Sequence, residues 1–268
     1  MNRLQAALDS LTKRKGGSPV VMTHVVLGYP TLKESMAIVR EMADSGVFCI
    51  ELQIPFSDPM ADGPTIMRAN EAALREGTTP RGCMKAMEQL AREVEIPLLF
   101  MSYFNLLFNY QQGGVSRFMK DAAQAGASGL IVPDVPPEEN EDGYWTLSKQ
   151  AGLIPIPLIS PVSSEARMKK VARSASKGFV YCVATTGTTG ARKTLPQDLK
   201  QYLNTVRRHF SLPRAVGFGI SSAEHVKALS GCAEIAIVGS AMIDKIDQAK
   251  KSERLLAVRK FTRSLANA

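Results

Sequence analysis

Two carboxylates stand close together in the stretch CIELQIPFSDPMADGP, residues 49–64 of a 268-residue chain. Glu51 interrupts an apolar run, and Asp62 lies in the polar segment directly after it. Burying a carboxylate is costly unless the group is paired, neutralised or used. With the two-residue period of a strand, Glu51 shares the face of Cys49 and Gln53. Both acids could therefore reach one bound molecule and perform acid–base chemistry.

A purely structural role is the alternative for both acids. Glu51 could be an ion-paired core residue, and Asp62 a turn former or a helix cap before PTIMRANEAALREG. Asp58, in FSDP, suits a turn-forming role well.

Other catalytic chemistries lack their usual residues. A Schiff-base aldolase needs a lysine inside the fold, and none of the apolar runs contains one. A metal site needs clustered ligands, whereas His24 alone of the three histidines falls in an apolar run. A single imidazole there is more often a packing residue. We therefore expect no metal and no cofactor of the chain's own.

Glycine-rich segments supply a second chemical feature. GFGISS, residues 217–222, and VGSA, residues 238–241, each follow an apolar run, as does the longer TTGTTGARKT, residues 185–194. Glycine lets backbone N–H groups approach an oxyanion, and a following helix adds its positive end. Tight turns alone would explain one such segment, but three of them favour a phosphate site.

The elements that would position these residues alternate strictly. Eight short apolar runs are each followed by a segment with helical spacing, which predicts parallel strands with helices over them. We expect one (β/α)8 barrel domain over residues 1–268, with an extra helix at about residues 2–14 covering its floor. An open doubly wound sheet is the alternative, weakened because no GxGxxG follows the first run. The predicted strands are 20–28, 48–54, 97–103, 128–135, 154–160, 179–186, 215–220 and 234–241.

Composition narrows the class of protein. Apolar residues make up 45% and charged residues 22%, as in ordinary folded proteins. The net charge of +8 comes from basic residues at helical spacing, without interleaved aromatics, so we expect no nucleic-acid partner. The four cysteines are widely separated, and no long apolar stretch occurs. We expect reduced thiols, a cytoplasmic location and no membrane association.

Five segments together resemble the tryptophan synthase alpha subunit family: ELQIPFSDPMADGPTI, GLIVPDVPPEE, TTGTTGAR, VGFGISS and VGSA. The resemblance follows the family's order along the whole chain. It implies a (β/α)8 barrel that cleaves indole-3-glycerol phosphate to indole and glyceraldehyde 3-phosphate. It also implies a beta subunit partner in an alpha2beta2 complex, with pyridoxal phosphate held by that partner. The loop with Pro55, Ser57 and Asp58 would contact it.

The resemblance also implies residue roles. Glu51 would protonate indole C3 and help to deprotonate the glycerol hydroxyl, and Asp62 would accept a hydrogen bond from the indole N–H. The indole pocket would be lined by Ile66, Tyr103, Ile131 and Phe218. The residues that match the sixth strand and the phosphate loops are Tyr181, Thr189, Gly190, Gly219, Ser221, Gly239 and Ser240.

The chain also departs from the family pattern. Gln53 stands where the family nearly always has Gly, and His24 replaces an aromatic residue. Tyr29, Thr185 and Thr188 differ as well, while the two acids and the phosphate glycines remain. Two other functions stay open: a free-standing indole-releasing lyase, and a non-catalytic barrel that activates a partner. An activity assay with and without a beta subunit separates the three.

Overall fold

A computed structural model describes residues 2–13, 17–140, 142–183, 197–217 and 219–268. The described residues form nine parallel strands in one sheet, in the order β5-β4-β3-β2-β1-β9-β8-β7-β6. The strands are β1 Val20–Val26, β2 Cys49–Gln53, β3 Leu98–Met101, β4 Gly129–Ile131, β5 Ile154–Pro155, β6 Leu158–Ile159, β7 Val180–Val183, β8 Arg214–Gly217 and β9 Ile235–Val238.

Helices separate most of these strands. They are α1 Arg3–Thr12, α2 Leu32–Ala43, α3 Pro64–Arg75, α4 Pro80–Glu93, α5 Phe104–Phe108, α6 Gly114–Gln124, α7 Tyr144–Gln150, α8 Glu165–Ser174, α9 Gln197–His209, α10 Ala223–Ala228, α11 Ser240–Gln248 and α12 Arg254–Ala266. A short 3-10 turn, Lys251–Glu253, precedes α12. Within the described ranges, no helix combines the length and apolar character needed to cross a bilayer.

Local sequence explains where several helices begin. The side chains of Thr31, Thr79, Ser164 and Ser222 each accept a backbone N–H from the first turn of the helix that follows. Such caps satisfy donors that the helix itself leaves unpaired. Each of these helices therefore has a defined start just beyond a strand or loop.

The two ends of the sheet meet in one chain segment, which closes the barrel. β5 and β6 are separated only by Ile156 and Pro157. The N–H of Ile156 donates to the carbonyl of Leu130 on one side, and the carbonyl of Pro157 accepts from the N–H of Tyr181 on the other. The predicted (β/α)8 barrel is therefore confirmed.

The fifth predicted strand, 154–160, is wrong as a single strand. Ile154 and Ile156 direct their N–H groups toward β4. Because backbone groups alternate in direction along a strand, those of residues 155 and 157 point the other way, toward β7. Both of these are proline, which has no N–H to donate. The ladder is therefore interrupted between β5 and β6.

The predicted extra helix covers the floor of the barrel. α1 directs Leu4 and Leu8 into the apolar cluster that fills the barrel interior together with Met22 and Cys49. The amide of Asn2 donates to the carbonyl of Ser128, at 2.7 Å, just before β4. This position leaves the opposite end of the barrel open.

The predicted alternation of faces along β2 is confirmed. Ile50 and Leu52 belong to the apolar cluster between the strands and the surrounding helices, whereas Cys49 belongs to the interior cluster. Glu51 and Gln53 are buried on the interior face. The strand therefore carries two polar side chains into the barrel, near its carboxyl end.

Candidate active site

Glu51 is paired with a histidine inside the barrel. Parallel pairing of β1 and β2 places His24 opposite Glu51, and His24 Nδ1 lies 2.9 Å from Glu51 Oε1. Each residue is only 3% exposed. The second oxygen, Oε2, is buried without a hydrogen-bond partner among the described residues. One oxygen of Glu51 is therefore held and the other is available.

The electrostatic environment of His24 favours its charged form. Burial is the largest single effect on the pKa of His24 and lowers it, but the hydrogen bond and the charge of Glu51 lead the effects that together outweigh burial. Asp62 and Gln53 add smaller effects in the same direction. The pKa of His24 therefore lies above its ordinary value of 6.5.

Asp62 is held by two donors that share one of its oxygens. Gln53 Nε2 lies 2.6 Å from Asp62 Oδ2, and the hydroxyl of Tyr103 donates to the same oxygen at 3.0 Å. Tyr103 also accepts the N–H of Ala61, at 3.1 Å. Burial, followed by the charge of Asp62, raises the pKa of Tyr103 above its ordinary range, so its hydroxyl remains a donor.

The loop that carries Asp62 is anchored to the barrel at its start. The N–H of Phe56 donates to Asn70 Oδ1 on α3, and the ring of Phe56 stacks on that of Tyr103 with centroids 5.3 Å apart. The loop ends at Gly63, which precedes Pro64 at the first position of α3. These contacts bring Asp62 over the carboxyl end of β2.

Both acids face one cavity of about 540 Å³ at the carboxyl ends of the strands. This volume lies within the range of about 300–1,000 Å³ that is usual for small-molecule sites. Apolar side chains form much of the wall, among them Ile66, Met101, Ile131, Leu158 and Ile237. Such a wall suits a flat aromatic ligand.

The part of the cavity beside the ends of β8 and β9 offers backbone N–H donors. Gly219 has φ +75° and no heavy atom within 4 Å of where a Cβ would stand. Gly239 precedes α11, whose first turn begins at Ser240 without a side-chain cap. Uncapped N–H groups and the positive end of a helix favour an anion.

Most of the predicted site residues that the structure describes line this cavity: Glu51, Asp62, Ile66, Ile131, Tyr181, Gly219, Gly239 and Ser240. Tyr103 is not part of the lining and contacts Asp62 instead. Ser221 is also outside the lining, since its N–H and Oγ approach Nδ1 of His225 at 3.3 and 3.4 Å. Thr189, Gly190 and Phe218 lie outside the described residues.

The predicted partner-contact residues lie away from the cavity. Pro55 is buried, whereas Ser57 and Asp58 are exposed on the loop after β2. None of the three lines the cavity. Their role in binding a partner stays a prediction.

Sequence reasoning did not assign several residues of the site. His24, interpreted as a packing residue, binds Glu51, and Gln53, predicted to share the face of Glu51, binds Asp62. The segment after β6 supplies Ser160, Ser163 and Arg167. Its position after a strand, together with its serines, was the available signal.

The parallel strands form a barrel, and one cavity at their carboxyl ends holds both acids and the backbone donors suited to an anion. These features define the class: a (β/α)8-barrel enzyme that acts on a small molecule. The sequence model described as "Tryptophan synthase alpha chain" matches residues 11–267. The chain therefore belongs to the tryptophan synthase alpha chain family, whose members are lyase subunits in tryptophan biosynthesis.

Individual relatives agree with this family. The tryptophan synthase alpha chain of Desulfotalea psychrophila is 45% identical over 88% of this chain and 91% of its own length. That of a Thermoanaerobacter species is 39% identical over 99% and 98%. A structure of Mycobacterium tuberculosis tryptophan synthase superposes with a TM-score of 0.87 at 33% identity, covering 99% of this chain and 97% of the other. The resemblance stated from the motifs is confirmed.

Proposed function

We propose that the chain cleaves indole-3-glycerol phosphate to indole and glyceraldehyde 3-phosphate by acid–base chemistry of its own carboxylates. The observation that carries the proposal is the cavity shared by Glu51 and Asp62, in which each acid is held by hydrogen bonds of its own. Because Oε2 of Glu51 is buried without a partner among the described residues, it is the oxygen suited to exchange a proton with substrate.

The reaction requires two proton transfers that balance. Protonated Glu51 gives its proton to indole C3, and the positive charge that results extends to the ring nitrogen. Glu51 then removes the proton of the neighbouring glycerol hydroxyl. The O–H electrons form the aldehyde carbonyl, the bond to C3 breaks, and its electrons restore the indole ring. Glu51 ends in the protonation state in which it began.

Asp62 would stabilise the charge that appears between these steps. Oδ2 is occupied by Gln53 and Tyr103, and no described residue makes a hydrogen bond to Oδ1. Oδ1 could therefore accept the indole N–H as its positive charge grows. A fixed carboxylate in a site shielded from water gives more stabilisation in this transition state than in the ground state.

The phosphate would lie at the opposite part of the cavity. Gly219, Gly239 and Ser240 line that part, and the uncapped first turn of α11 begins there. Thr189, Gly190, Phe218 and Ser221 remain proposals on the resemblance alone. No cofactor enters this mechanism, and pyridoxal phosphate belongs to the partner subunit in our proposal.

A beta subunit would bind over the open end of the barrel. Three large apolar side chains are exposed in segments that follow strands at this end: Met60 is 92% exposed, Val162 85% and Phe108, at the end of α5, 56%. Exposed apolar side chains around one opening are typical of a protein interface. The predicted contacts Ser57 and Asp58 belong to the same loop as Met60. We propose an alpha2beta2 complex in the cytoplasm.

Indole release by the purified chain, alone and with saturating beta subunit, tests this function. We expect weak activity alone and at least about a tenfold gain with the partner, equivalent to about 1.4 kcal/mol of coupling. Glu51→Gln should lower turnover by about 10²–10⁴ without loss of folding.

Each alternative predicts its own result. Equal rates with and without partner would indicate a free-standing lyase. If the chain released no indole but stimulated the partner's own reaction, it would be a non-catalytic activator. A Glu51→Gln variant that kept more than half the wild-type rate would refute the proposed role of that acid.

A further inference from the structure

His24 and Gln53 each bind one of the two proposed catalytic acids inside the barrel. Register places His24 on β1 opposite Glu51 on β2, and Gln53 follows Glu51 on the same interior face. Each forms a hydrogen bond with one acid. The motif resemblance implies an aromatic residue and Gly at these two positions, so neither contact belongs to the pattern that the resemblance implies.

The hydrogen-bond inventory fixes the orientation of both groups. An ionised carboxylate can only accept, so His24 donates from Nδ1 to Glu51, and Gln53 presents its NH₂ group to Asp62. This leaves Nε2 of His24 and Oε1 of Gln53, which are both buried and without a hydrogen-bond partner in the described part of the chain. A second proton on His24 would therefore be placed at Nε2, where Gln53 favours it.

We propose that His24 is a positioning residue for the acid–base step. Its Nδ1–H donates a hydrogen bond to Oε1 of Glu51 in both protonation states of that acid. Proton exchange with the substrate is therefore confined to Oε2. Its imidazolium form stabilises the carboxylate that remains once Glu51 has protonated the substrate. The inference rests on the proposed role of Glu51 and adds the group that controls it.

The surroundings of His24 support a titration governed by the two acids. Burial, followed by the charge of Glu51, raises the pKa of both Cys49 and Tyr181, so these groups stay neutral. β9, on the other side of β1, carries only Ile, Ala and Val. Among the described residues, Glu51 and Asp62 are therefore the charged groups that act on His24.

The first test is the pKa of His24, measured by NMR of the histidine-labelled protein. The chain has three histidines, so His24→Asn identifies the signal directly. We expect a pKa above 6.5 in the wild type and a clear fall in Glu51→Gln, because burial remains while the charge is lost. An unchanged pKa in Glu51→Gln would overturn the inference.

The second test compares the pH dependence of kcat and KM for indole release. His24→Asn keeps an amide donor but cannot titrate, so the pH profile of kcat should show one ionisation fewer than that of the wild type. His24→Phe removes the donor and should lower kcat by about tenfold to a hundredfold, with a smaller change in KM. The matched control is His209→Asn, since His209 also faces a glutamate, Glu165, at 3.4 Å but lies outside the cavity.

These outcomes separate the inference from the function on which it rests. An active lyase whose kcat profile is the same in the wild type and in His24→Asn would refute the role of His24 alone. A wild-type chain without lyase activity would refute the proposed function, and the role of His24 with it. Unchanged activity in His24→Phe would also overturn the positioning role.

Discussion

Replacement of Asp62 by Asn should separate its charge from its structural contacts. Gln53 and Tyr103 both donate to Oδ2, so the amide oxygen of Asn can take that position and keep both hydrogen bonds. The amide NH₂ then occupies the place of Oδ1. It would present a donor to the indole N–H, where the carboxylate presents an acceptor.

The magnitude follows from this reversal. Loss of one preorganised charge-stabilising group costs about 2.7–4 kcal/mol, or a factor of about 10²–10³ in kcat. KM should change less, because the indole nitrogen carries little charge before C3 is protonated. Because both supporting hydrogen bonds survive, the free energy of unfolding should change by no more than about 0.5 kcal/mol.

Indole release and urea unfolding of Asp62→Asn measure these two effects separately. Asp9→Asn is the matched control: it makes the same change on α1, at the opposite end of the barrel, and should leave both quantities unchanged. A kcat within about threefold of wild type would refute charge stabilisation by Asp62, because it corresponds to a change of less than about 0.7 kcal/mol in the activation free energy. A large loss of stability would show that its contacts, rather than its charge, explain any loss of activity.

Two further predictions concern the predicted phosphate site and His24. Gly219→Val should raise KM sharply, because the φ of +75° at this position is strained for valine and the new side chain blocks backbone donors. Inorganic phosphate should then protect the variant against heat less than it protects the wild type, and equal protection would place the phosphate elsewhere. Because the folded pKa of His24 is raised, its contribution to stability is fully present below pH 6.5 and is lost as pH rises through the folded pKa. The difference in unfolding free energy between wild type and His24→Asn should therefore shrink with rising pH in urea titrations, and a difference that grows would contradict the sign of the shift.

Much of the barrel could be predicted from the sequence because its signals are local. Apolar runs and helical spacing indicate the elements, and strict alternation indicates parallel pairing. The two-residue period correctly placed Glu51 inside and Ile50 and Leu52 outside. The split of the fifth strand was missed, although the two-residue spacing of Pro155 and Pro157 turns both toward one neighbouring strand; the structure adds that this neighbour is β7.

The partners of the acids could not be predicted in the same way. His24 meets Glu51 only through the register of two strands, and no local pattern specifies that register. Ser221, a predicted phosphate-loop residue, has a contact of the same kind, because the adjacent helix brings Nδ1 of His225 to its N–H. Contacts across elements depend on tertiary packing, which periodicity does not encode.

The prolines that interrupt the fifth strand also bear on how the chain avoids its own aggregation. If the barrel opens where β5 and β6 meet β7, the edge exposed on that segment carries Pro155 and Pro157 at the positions that face outward. A strand from another molecule would find carbonyl acceptors at Pro155 and Pro157 but no N–H donor at either position, and such an edge is a poor template for intermolecular pairing. The interruption that leaves the closing strand short thus makes the edge of an opened barrel less able to pair with a second molecule.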